Sequence, residues 1–292
     1  MTIEKFRVCD DQDRLLKEGF VQNGKESGTW YSYHDDGRIE SIKIYKDGLK
    51  SGTWKINTAD GLSTTEIEYQ QGSQLLQRSY SKEGTLLSES RFLDDKLHNI
   101  INYYSSGSVE STYFYEGTLP HGENESFWED GTIRSIVRFN KGKPGKTENY
   151  YSNGNMKDST EWEGNLSTYC KYYENGQLNS ESGLKGRRPH GFWREYLEDG
   201  QLLSEGNYIS GQKVGEHTWY YENGNPRMII PYNSSSKQGK EIHYFPNGKE
   251  MKIQTYLHDR LDGEWKEYTE DGLLAIFRIY KKGKMVKDCL EK

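Results

Sequence analysis

A glycine returns every 22 to 24 residues along this chain, at Gly37, Gly61, Gly84, Gly107, Gly131, Gly154, Gly176, Gly200, Gly224, Gly248 and Gly272. The residue before it is an Asp or Asn at nine of these eleven places, as in Asp36, Asn153 and Asp271. Asp-Gly and Asn-Gly between strand-like segments mark tight β-hairpins, because their turns need positive φ, which glycine takes freely and Asn or Asp tolerates. Each repeat is therefore expected to centre on one hairpin.

Other columns keep the same period. A second glycine set, 10 or 11 residues on, includes Gly48, Gly72, Gly142, Gly186, Gly211 and Gly283, and is read as the turns joining one hairpin to the next. Four residues before the hairpin glycine the side chain is aromatic in every repeat except at Asn57. Eight residues after it, only Leu184 is not aromatic. Such columns let rings from neighbouring repeats meet across strands. A third glycine column, nine before the turn, runs from Gly28 through Gly191 to Gly263. A two-residue hairpin places Gly28 opposite Tyr45 and Gly191 opposite Tyr208, where a ring would cover strand backbone. A bulge at the turn would shift this register by one.

Composition fits an array better than a globule. Hydrophobic residues are 32% of 292 and mean hydropathy is -1.02, yet aromatics reach 13%. Few aliphatics alone would suggest disorder, but disordered chains avoid rings. The expected class is all-β: an elongated, twisted array of about twelve antiparallel hairpins, an open meander or solenoid-like rod. Residues 1–26 read as a degenerate N-terminal capping hairpin, 27–284 as the repeat array, and 285–292 as a frayed or capping tail. Repeats between Leu75 and Ser167 lack the Gly-x-Trp entry seen at Trp30, Trp54, Trp193 and Trp265. Pro226 and Pro231, with Asn233 to Ser236 after them, suggest a bend, bulge or local edge and a lengthened joining turn.

The pattern G-x-W-x-x-Y-x-x-[DN]-G-x-L, then a Tyr and a Gly, is clearest at residues 191–211, 28–48 and 263–283. It resembles the MORN-repeat variant, found in bacterial proteins described as the antitoxin component of a toxin–antitoxin system. The resemblance covers roughly residues 27–284. It implies an elongated antiparallel β array that binds other proteins; the eukaryotic members it is akin to are also linked with membranes and phosphoinositides. The repeat is a scaffold and does not by itself fix an activity.

Chemistry-bearing motifs dissolve into the repeat. Gly142-Lys143-Pro144-Gly145-Lys146-Thr147 imitates a phosphate loop, but the required first glycine is Asn140 and a strand is expected to follow. The seven histidines show no metal-ligand spacing, and Cys9, Cys170 and Cys289 are far apart. Glu89, Glu181 and Glu205 recur at one strand position and read as an exposed polar stripe. No catalytic residue, cofactor or metal is assigned. The formal charge of -6 speaks against nucleic acid as a partner. The N-terminus lacks a signal-peptide core and the thiols suit a reducing compartment, so a cytoplasmic location is expected.

The candidate partner-binding residues are Tyr104, Tyr151, Tyr173 and Tyr221, three before the turn glycine and on the face opposite the inner column, with Arg187 and Arg188 of the most basic turn. The functional expectation is a non-enzymatic protein-binding scaffold, with a co-encoded toxin as the specific partner. A membrane-surface adaptor for anionic lipid and a carbohydrate-binding or carbohydrate-active protein are the alternatives.

Overall fold

The computed structural model describes residues 2–290. Every regular element among them is a β-strand, and successive strands pair antiparallel. The chain divides into two compact units, residues 1–144 and 145–292. Each is an open meander. The first begins with strand Ile3–Cys9 on Leu15–Gln22, as the sequence predicts. The second ends with Leu274–Lys281 paired to Lys284–Asp288, so the expected tail supplies a further strand. Glu291 and Lys292 lie outside the described residues.

The two turn types exchange the roles assigned from sequence. The Asp-Gly and Asn-Gly turns are three-residue loops. The Gly37 N–H donates to the His34 carbonyl at 2.8 Å, and the His34 N–H to the Arg38 carbonyl at 2.9 Å. Only the glycine is left-handed, with φ +80° at Gly37, and it forms the bulge that ends the loop. The Asp or Asn serves through its side chain instead. Asp199 Oδ1 accepts from the Gln201 N–H at 2.9 Å, and Asn175 Oδ1 from the Gln177 N–H at 2.9 Å. The tight two-residue turns are the joining ones, such as Asp47-Gly48, with φ +53° and +81°. There even Ser234 and Ser235 take positive φ, so the run after Pro231 makes an ordinary joining turn and not a longer one.

The predicted register holds in spite of the longer loops. Gly28 lies opposite Tyr45 and Gly191 opposite Tyr208. A shift between Ser32 and Tyr33, repeated between Glu195 and Tyr196, absorbs the extra residue beside the turn. The reason for the third glycine column is different from ring cover. Gly28, Gly52, Gly191 and Gly215 are left-handed, and at Gly28, Gly191 and Gly215 an added Cβ would meet open space. These glycines are needed for their backbone. Rings do lie on two other glycines: a Cβ at Gly19 would sit 2.2 Å from Trp30, and one at Gly206 the same distance from His217.

Two faces are thereby built. On one, rings run Phe6, Trp30, Tyr45, Trp54, Tyr69 in the first unit, with neighbouring centroids 4.7 to 6.4 Å apart. In the second unit Trp193, Tyr208, His217 and Tyr232 continue the same device. Lysines lie over the rings, as Lys17 over Trp30 at 4.4 Å. On the other face, tyrosines four before the turn glycine meet carboxylates of the preceding repeat. Tyr33 donates to Glu18, Tyr196 to Glu181 and Tyr220 to Glu205. The glutamates read as an exposed stripe are thus bonded to side chains of neighbouring strands, Glu181 and Glu205 while still partly exposed. Glu89 is buried and accepts from Arg78 and Arg91, because a guanidinium on each flanking position satisfies its oxygens.

Pro231 is inside a strand, Pro226–Asn233, that is paired on both sides. No local edge forms. The ladder opens opposite Pro231, where strands Ser236–Lys237 and Gly239–Tyr244 are separated by Gln238, whose N–H donates to the Pro231 carbonyl at 3.0 Å. The break spares proline the ladder bond it cannot make.

Candidate protein-binding surface

The repeat gives each unit two edges, one of hairpin turns and one of joining turns. The predicted residues divide between them. Tyr151, Tyr173 and Tyr221 stand on hairpin turns of the second unit, and Tyr104 on one of the first; Arg187 and Arg188 stand on a joining turn. The structure therefore does not gather the six into one site.

Each of the four tyrosines is half-buried, and its hydroxyl clamps the next repeat. Tyr104 donates to the Phe127 carbonyl at 2.8 Å, Tyr151 to Tyr172 at 2.9 Å, Tyr173 to Tyr196 at 2.9 Å and Tyr221 to Tyr244 at 2.7 Å. His34 faces the Asn57 carbonyl at 3.2 Å from the same turn position. What these rings can offer a partner is their carbon faces. Tyr221 does so in a hollow of about 420 Å³ with Leu197, Leu202, Tyr220, Arg227 and Pro246.

Arg187 and Arg188 are exposed, as is Lys185 in the same turn, and among the described residues none of the three makes an ion pair. The turn is held from below: the Gly186 N–H donates to the Asn165 carbonyl at 3.2 Å, and the Gly211 N–H of the following turn to the Pro189 carbonyl at 2.8 Å. Beside it is a shallow hollow of about 490 Å³, lined by Trp162, Leu166, Leu184, His190 and Phe192, with Glu161 and Glu163 on the rim. Among the described residues the Trp162 ring meets no other aromatic ring. Leu184 opposite Ser167, itself opposite Trp162, interrupts the run of rings and leaves the space. The sequence carried this signal, since Leu184 is where the aromatic column fails. What it could not show is that Trp162, two strands away, lines the space so left.

Several other polar groups are committed within the array. His121 and His190 each accept a backbone N–H from the next joining turn, at 3.5 and 3.3 Å. His243 and Lys237 both bond to the buried Glu241, at 2.7 and 2.6 Å. Burial pushes the Glu241 carboxyl up, but bonds to His243 and Lys237 outweigh it and hold the group down at about 2. Burial pushes the Tyr220 phenol up to about 12, aided by Glu205. The Lys143-to-Thr147 run is strand, so the helix N-terminus that a phosphate loop needs is not there. No cluster of three metal-ligating side chains occurs among the described residues. No helix among them is long and apolar enough to cross a membrane.

No curated protein matches the chain. A crystal structure of an S. aureus TarM mutant in complex with fondaparinux, alpha-GlcNAc-glycerol and UDP shares 12% identity over 37% of this chain and 19% of that one, at a TM-score of 0.20. A likeness that slight carries no argument about activity. The family described as MORN repeat variant matches at residues 26–47, 120–141, 167–183, 189–210 and 213–234, each a hairpin of the structure or part of one, so this chain carries repeats similar to that variant on both sides of its unit boundary.

Proposed function

We propose that the chain is a non-enzymatic, protein-binding repeat scaffold that works in the cytoplasm. One observation carries this reading. In the second unit an unpartnered Trp162 lines a hollow whose neighbouring turn holds uncommitted Arg187 and Arg188, while His190, His243 and the buried Glu241 are bound into the array. Trp and Arg beside a depression are what protein interfaces use as anchors. The partner is a protein segment that offers a large apolar side chain flanked by charges opposite to the rim. A co-encoded toxin is the specific version. Co-expression with the product of the adjacent reading frame tests it. A stable complex weakened at least tenfold by Trp162→Ala and by Arg187→Glu with Arg188→Glu is the expected result. Absence of a complex removes the toxin version; a complex indifferent to those substitutions removes the surface.

A further inference from the structure

We propose that copies of this chain associate side by side, the hairpin-turn edge of residues 145–292 in one copy meeting the joining-turn edge of the same residues in another. The two edges of that unit carry an excess of opposite free charge, with Lys249 the exception on the hairpin-turn edge and Glu163 on the joining-turn edge. On hairpin turns, Glu174, Glu198, Glu222 and Glu270 each stand two before the turn glycine, exposed and without an ion pair among the described residues. These turns are stacked by side-chain bonds: Asn153 Nδ2 donates to the Glu174 carbonyl at 3.0 Å and Asn175 Nδ2 to the Glu198 carbonyl at 3.1 Å.

On the joining-turn edge, Lys185, Arg187, Arg188, Arg260 and Lys284 are exposed and equally unpaired, while Lys282 lies near the Asp262 carboxylate. Other cations there are already used. Lys237 bonds to Glu241, Lys281 to Asp262, and Lys213 lies over Trp219 and Tyr232. These turns are stacked as well, the Ser235 N–H donating to Lys213, Asp259 to Lys237 and Gly283 to Leu261.

Spacing selects the partner. One rung is two strands, hence about 10 Å along either edge. The pitch is equal on both edges because one repeat generates both. The cationic turns at Gly186 and Gly283 are the ends of a run of five stacked joining turns, and the acidic turns at Gly176 and Gly272 the ends of a run of five hairpin turns. Carboxylates at the matching pitch are supplied by another copy of the same unit. An anionic membrane offers no such spacing, and a polyphosphate backbone repeats at a shorter one. The contact is heterologous, so assembly is open-ended. Each exposed pair is weak and screened, and several acting together make association depend on salt and concentration.

Sedimentation of the full chain decides the matter. At about 0.02 M salt the mass should rise with concentration above the 34.0 kDa monomer, and above about 0.5 M it should return to it. A variant with Glu174→Lys, Glu198→Lys and Glu222→Lys, and another with Lys185→Glu, Arg187→Glu and Arg188→Glu, should each stay monomeric at low salt. Mixed together they should associate, since each then offers the charge that the other lacks. A monomer at every concentration in low salt overturns the proposal, as does a mixture that stays monomeric while both variants keep native circular dichroism. The salt series on the unaltered chain stands even where a triple variant misfolds. A monomeric result leaves binding of a foreign protein at the Trp162 hollow untouched.

Discussion

His217 occupies the position filled by Trp30, Trp54, Trp193 and Trp265 in other repeats. It is buried, flat above Gly206, with Tyr208 and Tyr232 edge-on at 5.3 and 5.2 Å. Its Nε2 donates to the Asn207 carbonyl at 3.0 Å, as Trp54 Nε1 donates to Ile44 at 2.9 Å. Burial lowers its pKa below the usual 6.5, the Asn207 bond opposing and Lys213 assisting. A histidine lowered on folding stays neutral while the unfolded chain takes up the proton, so its stabilisation is present above pH 6.5 and fades as pH falls below it. His217→Trp should therefore keep the hydrogen bond and flatten the loss of Tm between pH 7 and 5; an unchanged pH slope would refute the assignment. Glu241 acts lower down. Its carboxyl, near 2 when folded against 4.5 unfolded, stabilises the chain above pH 4.5 by on the order of 3 kcal/mol, lost as pH falls toward 2. Glu241→Gln should remove that acid transition from a denaturation series.

Within an element the turns decide most. A clamp such as the Tyr173 hydroxyl on the Tyr196 carbonyl contributes about 1 kcal/mol net. Tyr173→Phe should cost that much in urea denaturation and raise amide exchange at the neighbouring turn; Tyr115→Phe, for which no such clamp is seen, serves as a control. The joining turn Gln71-Gly72 has φ +52° and +93°. Asparagine tolerates the left-handed region better than glutamine, so Gln71→Asn should raise Tm by the equivalent of about 0.5 kcal/mol. By the same logic Gly191→Ala, at φ +86°, should cost on the order of 1 kcal/mol although its Cβ would meet no atom.

At the scale of the whole molecule, pairing within each unit is between strands close in the chain, and both ring rows and Tyr–Glu contacts link adjacent repeats. Stability in such arrays is a sum of local terms. Trp30→Ala and Trp193→Ala lie in different units. Each should cost about 3 kcal/mol, and the double variant should equal their sum within about 0.5 kcal/mol. A larger coupling in a double-mutant cycle would show that the repeats do not act as neighbours alone.

Much of this was legible before any coordinates. The period, strand direction, Gly28–Tyr45 pairing and aromatic rows follow from columns of residues, because φ preferences and side-chain alternation act over a few residues. Three things were not. Which glycine set made the tight turns depended on whether Asp36 spent its tolerance on φ or its carboxylate on the Arg38 N–H, and only packed neighbours choose. Glu89 and Glu181 looked solvent-facing until Arg78 and Arg194 arrived from adjoining strands. Trp162 lay unremarkably in its column until the fold set Leu184 and a basic turn beside it. Local sequence fixes backbone conformation, but whether a charge or ring is used up inside depends on what comes across the strand from residues distant in the chain.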